Sequence, residues 1–374
     1  MTTTLALHGA MIEIAPGALA TLGDRLRALL PDRRIAIIAD QQVAQLYGAK
    51  ALAAVLSSGL TLGATIGGTA APGLFTFPAG EAQKTRSTWG TLTDQLIASG
   101  HRRDTVIVAL GGGVTGDLAG FVAATFLRGV PVVQVPTSLL AMIDASIGGK
   151  AGVDTSAGKN LVGAFHQPSL VVVDPQLLKT LPPQHLRAGL AEAIKHGIIA
   201  DAAYFGWIAS SLRELLHGDQ FDDATALHLV QRSIEIKVDV VARDEREAGL
   251  RKILNFGHTI AHAVEHVTGY GVSHGEAVAI GMVAEARLAE RLGIAKGGLA
   301  DTISTVLDAA GLPTRLPEGL DRAEIVTATR ADKKSRAGKV EYALPEAVGT
   351  MASAAEGFAI AVPEADVLRT LEHL

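Results

Sequence analysis

Short apolar runs rich in valine and isoleucine alternate with helix-like stretches along the first half of the chain. The runs span 35–39, 106–110, 132–136 and 170–174. The intervening stretches of helical periodicity lie at 92–97, 118–126 and 139–143. Continuous apolar runs of this length are typical of strands buried on both faces, and the helices between them serve as crossovers. This half therefore predicts an α/β domain with a mostly parallel, Rossmann-like sheet.

The pattern changes after Pro182-Pro183. Long segments of helical periodicity follow at 184–217, 222–246, 256–267, 275–292 and 300–310. The main strand candidate beyond them is 340–344. The sequence therefore predicts an α/β domain over residues 1–180 and a mainly α-helical domain over residues 181–374.

Composition excludes several classes of protein. A hydrophobic content of 48% with 41 glycines and only 4% aromatic residues fits a soluble α/β enzyme. The net charge of −5 argues against binding to nucleic acid, since phosphates need a basic face. The absence of cysteine excludes disulfides and thiolate metal sites. No secretory signal or membrane span is visible, because glycines and prolines interrupt the uncharged stretch 51–80, so a cytoplasmic location is expected.

Three histidines cluster in two short motifs, Asn255–His262 and Ser273–Glu276. His258 and His262 are four residues apart, so both rings lie on one face of a helix. His274 follows a glycine-bearing loop that can return its ring to that face. Neutral imidazole is a common zinc ligand, and catalytic zinc usually takes three protein ligands. The motifs predict a catalytic metal centre, for which spacing alone favours His258 and His262.

A glycine-rich loop, Gly111–Asp117, follows the run at 106–110 and opens a helix. It satisfies the G-x-G-x-x-G pattern, whose glycines let backbone amides approach a pyrophosphate. No acidic residue follows about 20 positions later, where a standard dinucleotide fingerprint has one. Asp40, at the end of an earlier strand, is the alternative candidate for the ribose contact. A tight strand-to-helix turn without any ligand is the competing interpretation.

Two lysines in glycine-bearing segments form a candidate anion site. These segments are Gly148–Lys150 and Gly158–Asn160. Small neighbours leave each ammonium accessible, and Arg128 adds a planar group that can hold phosphate through two hydrogen bonds. Lysines exposed on a surface without a specific ligand are the alternative.

Two acid–base pairs have both a functional and a plain interpretation. Glu192 and Lys195 lie one helical turn apart, and the carboxylate can complete a site with two histidines and one glutamate. An ordinary intrahelical ion pair is the alternative. Glu81 and Lys84, taken alone, read as a solvated helix start.

Together these segments resemble the 3-dehydroquinate synthase family of sugar-phosphate cyclases. The resemblance runs in unchanged order from Asp40 to Lys334. Its most specific segments are 111–117, 136–140, 148–150 with 158–160, 190–195, 255–262 and 274–276. Six such segments in one order are hard to obtain by chance.

The resemblance implies a role for each matching residue. The implied metal ligands are Glu192, His258 and His274, and His262 is left unligated near the substrate. The implied NAD contacts are Asp40, Glu81, Lys84, Gly112, Gly113, Val114, Asp117, Thr137, Ser138, Asp144, Lys159 and Thr180. The implied catalytic residues are Lys150, Lys195, Lys237, Arg251, Asn255 and His262. The implied substrate-binding residues are Arg128, Asn160 and Lys334, the last chosen over Lys333.

The same resemblance implies a reaction. The substrate is 3-deoxy-arabino-heptulosonate 7-phosphate, a phosphorylated sugar acid, and the product is 3-dehydroquinate. A secondary alcohol polarised by Zn²⁺ or Co²⁺ gives its hydride to NAD, phosphate is eliminated, NADH returns the hydride, and an intramolecular aldol reaction closes the ring. The first domain would bind NAD and the second the metal and substrate. In the family, the arginine at the Arg128 position reaches the neighbouring subunit, which implies a homodimer.

Three residues depart from the commoner family pattern. Thr115 replaces an aliphatic residue and Ser138 a threonine, and both keep a compact side chain that suits the cofactor. Asp154 stands where asparagine is frequent and adds negative charge near the candidate anion site.

Two other functions stay open at this stage. One is another sugar-phosphate cyclase or a metal-dependent polyol dehydrogenase of the same superfamily. The paired lysine segments argue against a dehydrogenase, whose alcohol carries no phosphate. The other is a catalytically silent NAD-binding or scaffold protein, against which the intact set of candidate ligands argues.

Overall fold

The computed structural model describes residues 2–62, 73–155, 158–216, 222–330, 340–353 and 357–374. The strands are β1 (Thr3–Leu7), β2 (Ala10–Ile14), β3 (Arg34–Asp40), β4 (Thr61–Leu62), β5 (Leu74–Phe77), β6 (Thr105–Gly111), β7 (Val132–Pro136), β8 (Lys150–Thr155), β9 (Gly158–Phe165), β10 (Leu170–Val173), β11 (Glu341–Tyr342), β12 (Pro345–Ala347), β13 (Thr350–Met351) and β14 (Ile360–Ala361). The helices are α1 (Leu22–Leu29), α2 (Gln41–Val43), α3 (Ala49–Ser57), α4 (Arg86–Ala98), α5 (Gly113–Thr125), α6 (Pro183–Ala200), α7 (Ala202–Leu215), α8 (Asp223–Arg243), α9 (His258–Val267), α10 (His274–Arg291), α11 (Leu299–Ala309), α12 (Arg322–Thr329) and α13 (Glu364–Leu371).

The chain divides into two compact units. The first comprises Met1–Leu181 with Asp222–Ile234, and the second comprises Pro182–Phe221 with Glu235–Leu374. The first part of α8 thus belongs to the first unit, where Asp223 accepts a hydrogen bond of 2.7 Å from Gln176. The sequence placed residues 222–234 with the helical half, because periodicity shows that a helix forms but not what it packs against.

The first unit is built on an eight-stranded sheet. Its order is β1-β2-β10-β7-β6-β3-β4, with β5 also paired to β3. Among the described residues, β1 and β2 form the one antiparallel pair in this sheet, and all the other pairs are parallel. All seven residues of β6 are buried, as expected of a central parallel strand covered on both faces. The predicted mostly parallel α/β sheet is therefore confirmed.

The second unit is largely helical. Its apolar core joins residues of α9, α10, α12 and α13 with the short strand β11. The prediction of one periodic segment over 184–217 is wrong in detail, because two helices meet at Asp201. That residue is extended (φ −151°) and its carboxylate accepts the amide N–H of Tyr204, which ends α6 and caps α7. None of the helices in the described ranges combines the length and hydropathy that a membrane crossing requires.

Several elements differ from the sequence prediction. The strand expected at 340–344 is shorter, with β11 covering only Glu341–Tyr342. The helix expected at 139–143 is one wide turn at Ala141–Ala145. Helices α12 and α13 and the antiparallel β8–β9 hairpin were missed. Each of the two helices is only eight residues long, and the glycine-bearing segments of the hairpin were interpreted as a candidate anion site rather than as strands.

A buried histidine in the first unit makes stability depend on pH. The ring of His101 lies edge-on to Phe75 with ring centroids 5.5 Å apart, and Nδ1 is 3.1 Å from Thr105 Oγ1. Burial, with nearby Arg34, lowers the pKa of His101 to about 4. An unfolded histidine titrates near 6.5, so between pH 6.5 and 4 the unfolded chain binds a proton that the folded chain does not. The contribution of neutral His101 to the free energy of unfolding is therefore fully present above pH 6.5, and it is lost progressively as the pH falls towards 4.

We expect His101→Gln to reduce this acid sensitivity. Urea denaturation at pH 7.5 and pH 5 should show that the loss of stability is smaller in the variant by about 1–2 kcal/mol. His8→Asn is the control, because His8 is exposed and asparagine tolerates its φ of +47°. An equal loss in parent and His101→Gln would show that another group carries the pH dependence.

Candidate metal centre and cofactor loop

Three helices of the second unit bring the candidate ligands together. Glu192 lies in the middle of α6, whereas His258 and His274 are the first residues of α9 and α10. One ligand atom from each residue lies within 4.8 Å of the others. The structure thus joins a carboxylate and two imidazoles from three separate segments.

The two rings point the same nitrogen at the same carboxylate. His258 Nε2 is 3.4 Å from Glu192 Oε1, and His274 Nε2 is 3.5 Å from that oxygen. These distances exceed those of good hydrogen bonds, and Oε1 of the fully buried Glu192 has no hydrogen-bond partner among the described residues. His258 Nδ1 lies 3.2 Å from the carbonyl oxygen of Phe256, which can accept its proton and leave Nε2 free to bind a metal.

A buried cation accompanies Glu192. Lys195, one turn along α6 and almost fully buried, forms an ion pair with its carboxylate. Burial alone would raise the pKa of Glu192, but Lys195 and His258 hold it well below its usual range. The carboxylate is therefore ionised, as a metal ligand must be.

The two histidines have opposite pKa shifts in the metal-free protein. Burial and the neighbouring Lys195 lower the pKa of His258 to about 4. Burial also favours neutral His274, but contacts with Glu192 and Glu265 raise its pKa to about 10. Uptake of a divalent cation therefore requires His274 to release a proton.

The donor set fits a catalytic zinc or cobalt ion. Two imidazoles and one carboxylate are a ligand set of known catalytic zinc sites, in which the metal would have a further position for water or a substrate oxygen. His262, which helical spacing alone paired with His258, is outside this set in the described part of the chain. It is exposed on α9, with its ring centroid 5.6 Å from that of His258 and 6.5 Å from that of His274. His262 therefore lies beside the candidate metal centre without belonging to its set of ligands.

Two glycines let the ligand-bearing helices approach closely. A Cβ atom at Gly275 would lie 2.3 Å from Ala188 Cα on α6, and one at Gly281 would lie 1.9 Å from the carbonyl oxygen of Gly257. Both distances are far below van der Waals contact. Gly275 thus allows the His274 end of α10 to pack on α6, and Gly281 sets the distance between α10 and the start of α9.

Glu285 caps the start of α9 from the facing helix. Its buried carboxylate accepts the amide N–H of Gly257 at 2.7 Å and that of Ile260 at 3.3 Å. These amides are among those that a helix leaves unpaired at its N-terminus. Glu285 was missed in the sequence, where a glutamate late in a helix reads as solvated.

In the first unit, the glycine loop turns directly from β6 into α5. Gly112 is the N-cap of α5, and Gly113 and Val114 form its first turn. Asp40, at the end of β3, caps the next helix by accepting the amides of Gln42 and Val43 at 3.0 Å. Thr115 Oγ1 lies 3.4 Å from the second oxygen of Asp40, which gives this departure from the family pattern a structural partner.

The predicted cofactor residues form two ion pairs in the first unit. Lys84 is buried and pairs with Asp117 on α5, while Lys159 Nζ lies 3.7 Å from Glu81 Oε1. Burial opposes charge on Lys84, but Asp117 prevails and raises the pKa of the ammonium. Burial raises the pKa of Asp117, and the nearby Lys84 ammonium offsets only part of this effect. The earlier interpretation of Lys84 as part of a solvated helix start is therefore wrong, because it lies in the interior.

Three further predicted cofactor residues lie just after β7 or in the turn that follows it. They are Thr137, Ser138 and Asp144. The amide of Thr137 donates to the carbonyl of Gly111 at 2.9 Å, which ties the end of β7 to the glycine loop. Ser138 Oγ accepts from the amide of Ala141 at 3.3 Å and so starts the turn that contains Asp144. Thr180 instead contacts the hydroxyl of Tyr47, and none of its hydrogen bonds in the described residues reaches another predicted cofactor residue.

The lysine-bearing segments form the β8–β9 hairpin. Lys150 starts β8, and Lys159 and Asn160 lie near the start of β9. Asn160 has a positive φ of 53°, and its amide donates to Asp154 Oδ1 at 2.8 Å. Asp154 therefore holds a left-handed residue of the hairpin in place. An asparagine side chain offers the same acceptor, which explains how the two residues can alternate at this position.

The remaining predicted residues lie in several elements. Lys237 on α8 and Arg251 in the turn Leu250–Asn255 are buried. Asn255 ends that turn, and its amide donates to Glu247 at 2.6 Å. Arg128 follows α5 with a positive φ of 72° and is exposed. Lys333 and Lys334 lie outside the described residues.

Sequence comparisons identify the family. Residues 74–188 match the 3-dehydroquinate synthase N-terminal family and residues 189–335 the 3-dehydroquinate synthase C-terminal family. The chain is 48% identical over 342 residues to the 3-dehydroquinate synthase of a Synechococcus species, with 90% of each chain covered. It is 44% identical over 371 residues to that of Xanthomonas campestris, covering 97% of this chain and 94% of the relative.

Solved structures show the same fold. A 2-deoxy-scyllo-inosose synthase complexed with carbaglucose-6-phosphate, NAD⁺ and Co²⁺ aligns with a TM-score of 0.88, 25% identity and full coverage of both chains. The 2-epi-5-epi-valiolone synthase of Streptomyces hygroscopicus, with NAD⁺ and Zn²⁺ bound, aligns with a TM-score of 0.86 and 28% identity over 100% of this chain and 98% of that one. The matched families, the curated relatives and this likeness agree, and the chain belongs to the 3-dehydroquinate synthase family.

Proposed function

We propose that this chain is a 3-dehydroquinate synthase that depends on NAD and on a divalent metal, Zn²⁺ or Co²⁺. The observation that carries the proposal is the approach of His258 Nε2 and His274 Nε2 to one buried, ionised carboxylate, Glu192. The substrate proposed is 3-deoxy-arabino-heptulosonate 7-phosphate, and the products are 3-dehydroquinate and phosphate. Membership of the family supports the activity, and the donor chemistry of the three residues supports the metal.

Glu192, His258 and His274 would hold the metal, and the start of α5 would hold NAD. When bound, the metal acts as a Lewis acid on a substrate alcohol, and NAD takes up a hydride and returns it. At the glycine loop, the N-terminus of α5 presents amides to a pyrophosphate. Two structural neighbours solved with NAD⁺ and with Co²⁺ or Zn²⁺ support this pair of cofactors.

The cationic residues of the chain bind and orient the substrate. Lys150, Lys195, Lys237 and Arg251 would pair with its carboxylate and phosphate, assisted by Asn160 and Asn255. Arg128 and Lys334 are proposed as further substrate contacts, the former in the neighbouring subunit of a homodimer. Fixing the substrate in this way converts binding energy into correct orientation of the reacting atoms. The remaining cofactor contacts proposed are Asp40, Glu81, Lys84, Asp117, Thr137, Ser138, Asp144, Lys159 and Thr180.

Phosphate release tests the proposed activity. Purified protein given the heptulosonate phosphate should release one phosphate per product when NAD and metal are present. It should lose turnover with a chelator and regain it with Zn²⁺ or Co²⁺. No net NADH should accumulate, because the hydride returns to the product. Accumulation of NADH with a polyol and no phosphate release would instead indicate a dehydrogenase.

His262 provides a second test, because it lies beside the metal centre without belonging to it. We expect His262→Ala to retain one metal per chain and to lose about 100-fold or more in kcat, the scale of an acid–base contribution. Metal content by elemental analysis and steady-state phosphate release would be measured together. Loss of the metal in this variant would place His262 among the ligands and contradict the assignment.

A further inference from the structure

Each candidate ligand ring has a second nitrogen that needs a hydrogen-bond acceptor. A histidine that binds a metal through Nε2 must place its Nδ1–H, and the acceptor fixes both the tautomer and the ring orientation. For His258 this acceptor is the backbone carbonyl of Phe256, 3.2 Å away. A backbone group supplies this contact whatever side chain is present, so His258 carries its support within its own segment.

His274 depends on a side chain from the neighbouring helix. Its Nδ1 lies 3.6 Å from Glu265 Oε2, whereas its Nε2 lies 3.5 Å from Glu192 Oε1. The two nitrogens of one ring therefore face two different carboxylates. One of these is the proposed metal ligand, and the other is not.

The position of Glu265 is unusual for a glutamate. It lies on α9, seven residues after His258, and is 2% exposed. Its neighbours Ala263 and Val264 belong to the apolar core of the second unit. Burying a carboxylate carries a large free-energy cost unless a polar partner is present. In the described residues, His274 is one such partner, contributed by α10.

We propose that Glu265 is a positioning residue of the metal centre. Its carboxylate faces His274 Nδ1 across 3.6 Å, and with the ion bound it would accept the Nδ1–H and turn that ring so that the Nε2 lone pair faces the ion held with Glu192 and His258. The proposal rests on the proposed metal site and adds to it a residue that does not touch the metal. Carboxylates in this position typically strengthen metal binding by about 10- to 100-fold.

Metal affinity measured on Glu265 variants tests this role. Co²⁺ affinity would be determined by competition with a chromophoric chelator, and the visible spectrum of bound Co²⁺ would report ligand geometry. We expect Glu265→Gln to bind Co²⁺ about 10-fold more weakly, because the glutamine oxygen can accept the hydrogen bond from Nδ1 but lacks the negative charge of the carboxylate. We expect Glu265→Ala to bind about 100-fold more weakly, with altered Co²⁺ absorption bands.

A matched control removes a negative charge from the first turn of α10, close to His274. Glu276 is exposed, two residues after His274, and its carboxylate accepts the amide of Ser273 at 3.0 Å. Glu276→Gln should leave Co²⁺ affinity within about twofold of the parent, since it does not support the ring. Equal weakening in Glu276→Gln and Glu265→Gln would overturn the proposal in favour of a general effect of charge.

Two further measurements separate this proposal from its alternatives. Urea denaturation of the metal-free variants shows whether Glu265 acts only through stability. A loss of affinity in Glu265→Gln at unchanged metal-free stability supports positioning, and a loss of stability without loss of affinity overturns it. If the parent binds no Co²⁺, the metal site itself is wrong. If His274→Ala loses the ion while both Glu265 variants keep parental affinity, only the role of Glu265 is wrong.

Discussion

Glu192→Gln is expected to abolish stoichiometric metal binding and, with it, turnover. The substitution keeps the shape of the side chain but removes the only anionic donor of the proposed set, on which both Nε2 atoms converge. It also leaves Lys195 buried without its carboxylate. Breaking a buried pair in this way costs about 3–5 kcal/mol of stability. Elemental analysis and urea denaturation of the same preparation would measure the two effects.

A double variant separates these effects. Glu192→Gln with Lys195→Met removes both charges, so much of the lost stability should return while metal binding stays absent. Recovery of stability without recovery of metal is the expected pattern. A Glu192→Gln protein that retains one tightly bound ion would contradict the ligand assignment, whatever its stability.

Gly281→Ala is expected to lower both stability and metal affinity strongly, because it adds a methyl group between the ligand-bearing helices α9 and α10. The new Cβ would lie 1.9 Å from the carbonyl oxygen of Gly257, which immediately precedes His258. The oxygen belongs to the backbone, and the new Cβ is attached rigidly to the backbone of α10. Neither atom can turn aside, so α9 must move away from α10. We expect a stability loss of about 3 kcal/mol or more from overpacking. Metal affinity should fall at least 10-fold, because about 1 Å of ligand displacement spoils the geometry.

Gly206→Ala is the matched control for this substitution. Gly206 lies inside α7, and a Cβ there meets no atom within 4 Å. Alanine should therefore raise stability by about 0.5–1 kcal/mol, the usual gain over glycine within a helix. Thermal denaturation and Co²⁺ titration of both variants test the contrast. Parental metal affinity in Gly281→Ala would show that the close contact of α9 with α10 does not set the ligand geometry.

The local apolar pattern was sufficient to predict four strands of the sheet in the first unit, β3, β6, β7 and β10. The run at 106–110 is apolar throughout because β6 is buried on both faces, and this is the pattern from which the parallel sheet was predicted. The break at Asp201 was not predicted, because alanines and apolar residues continue the helical period through it. Only the capping contact with Tyr204 shows where one helix ends.

The candidate site depends more on tertiary contacts. Helical spacing pairs His258 with His262, but the structure brings His274 to Glu192 because Gly275 allows α10 to approach α6. No periodicity encodes that approach. The histidine motifs made His274 a candidate, and the family resemblance chose it as a ligand in place of His262. Glu265 and Glu285 were overlooked because a glutamate in a helical pattern normally faces solvent, and burial is visible only in the folded chain.

Anomalous diffraction from crystals grown with Zn²⁺ and NAD would locate the metal directly. We expect one zinc peak per chain, about 2.0–2.2 Å from a Glu192 oxygen and from Nε2 of both His258 and His274. His262 should lie outside coordination distance. A zinc peak bound through His262, or one at a site that lacks Glu192, would show that Glu192, His258 and His274 are not the metal ligands.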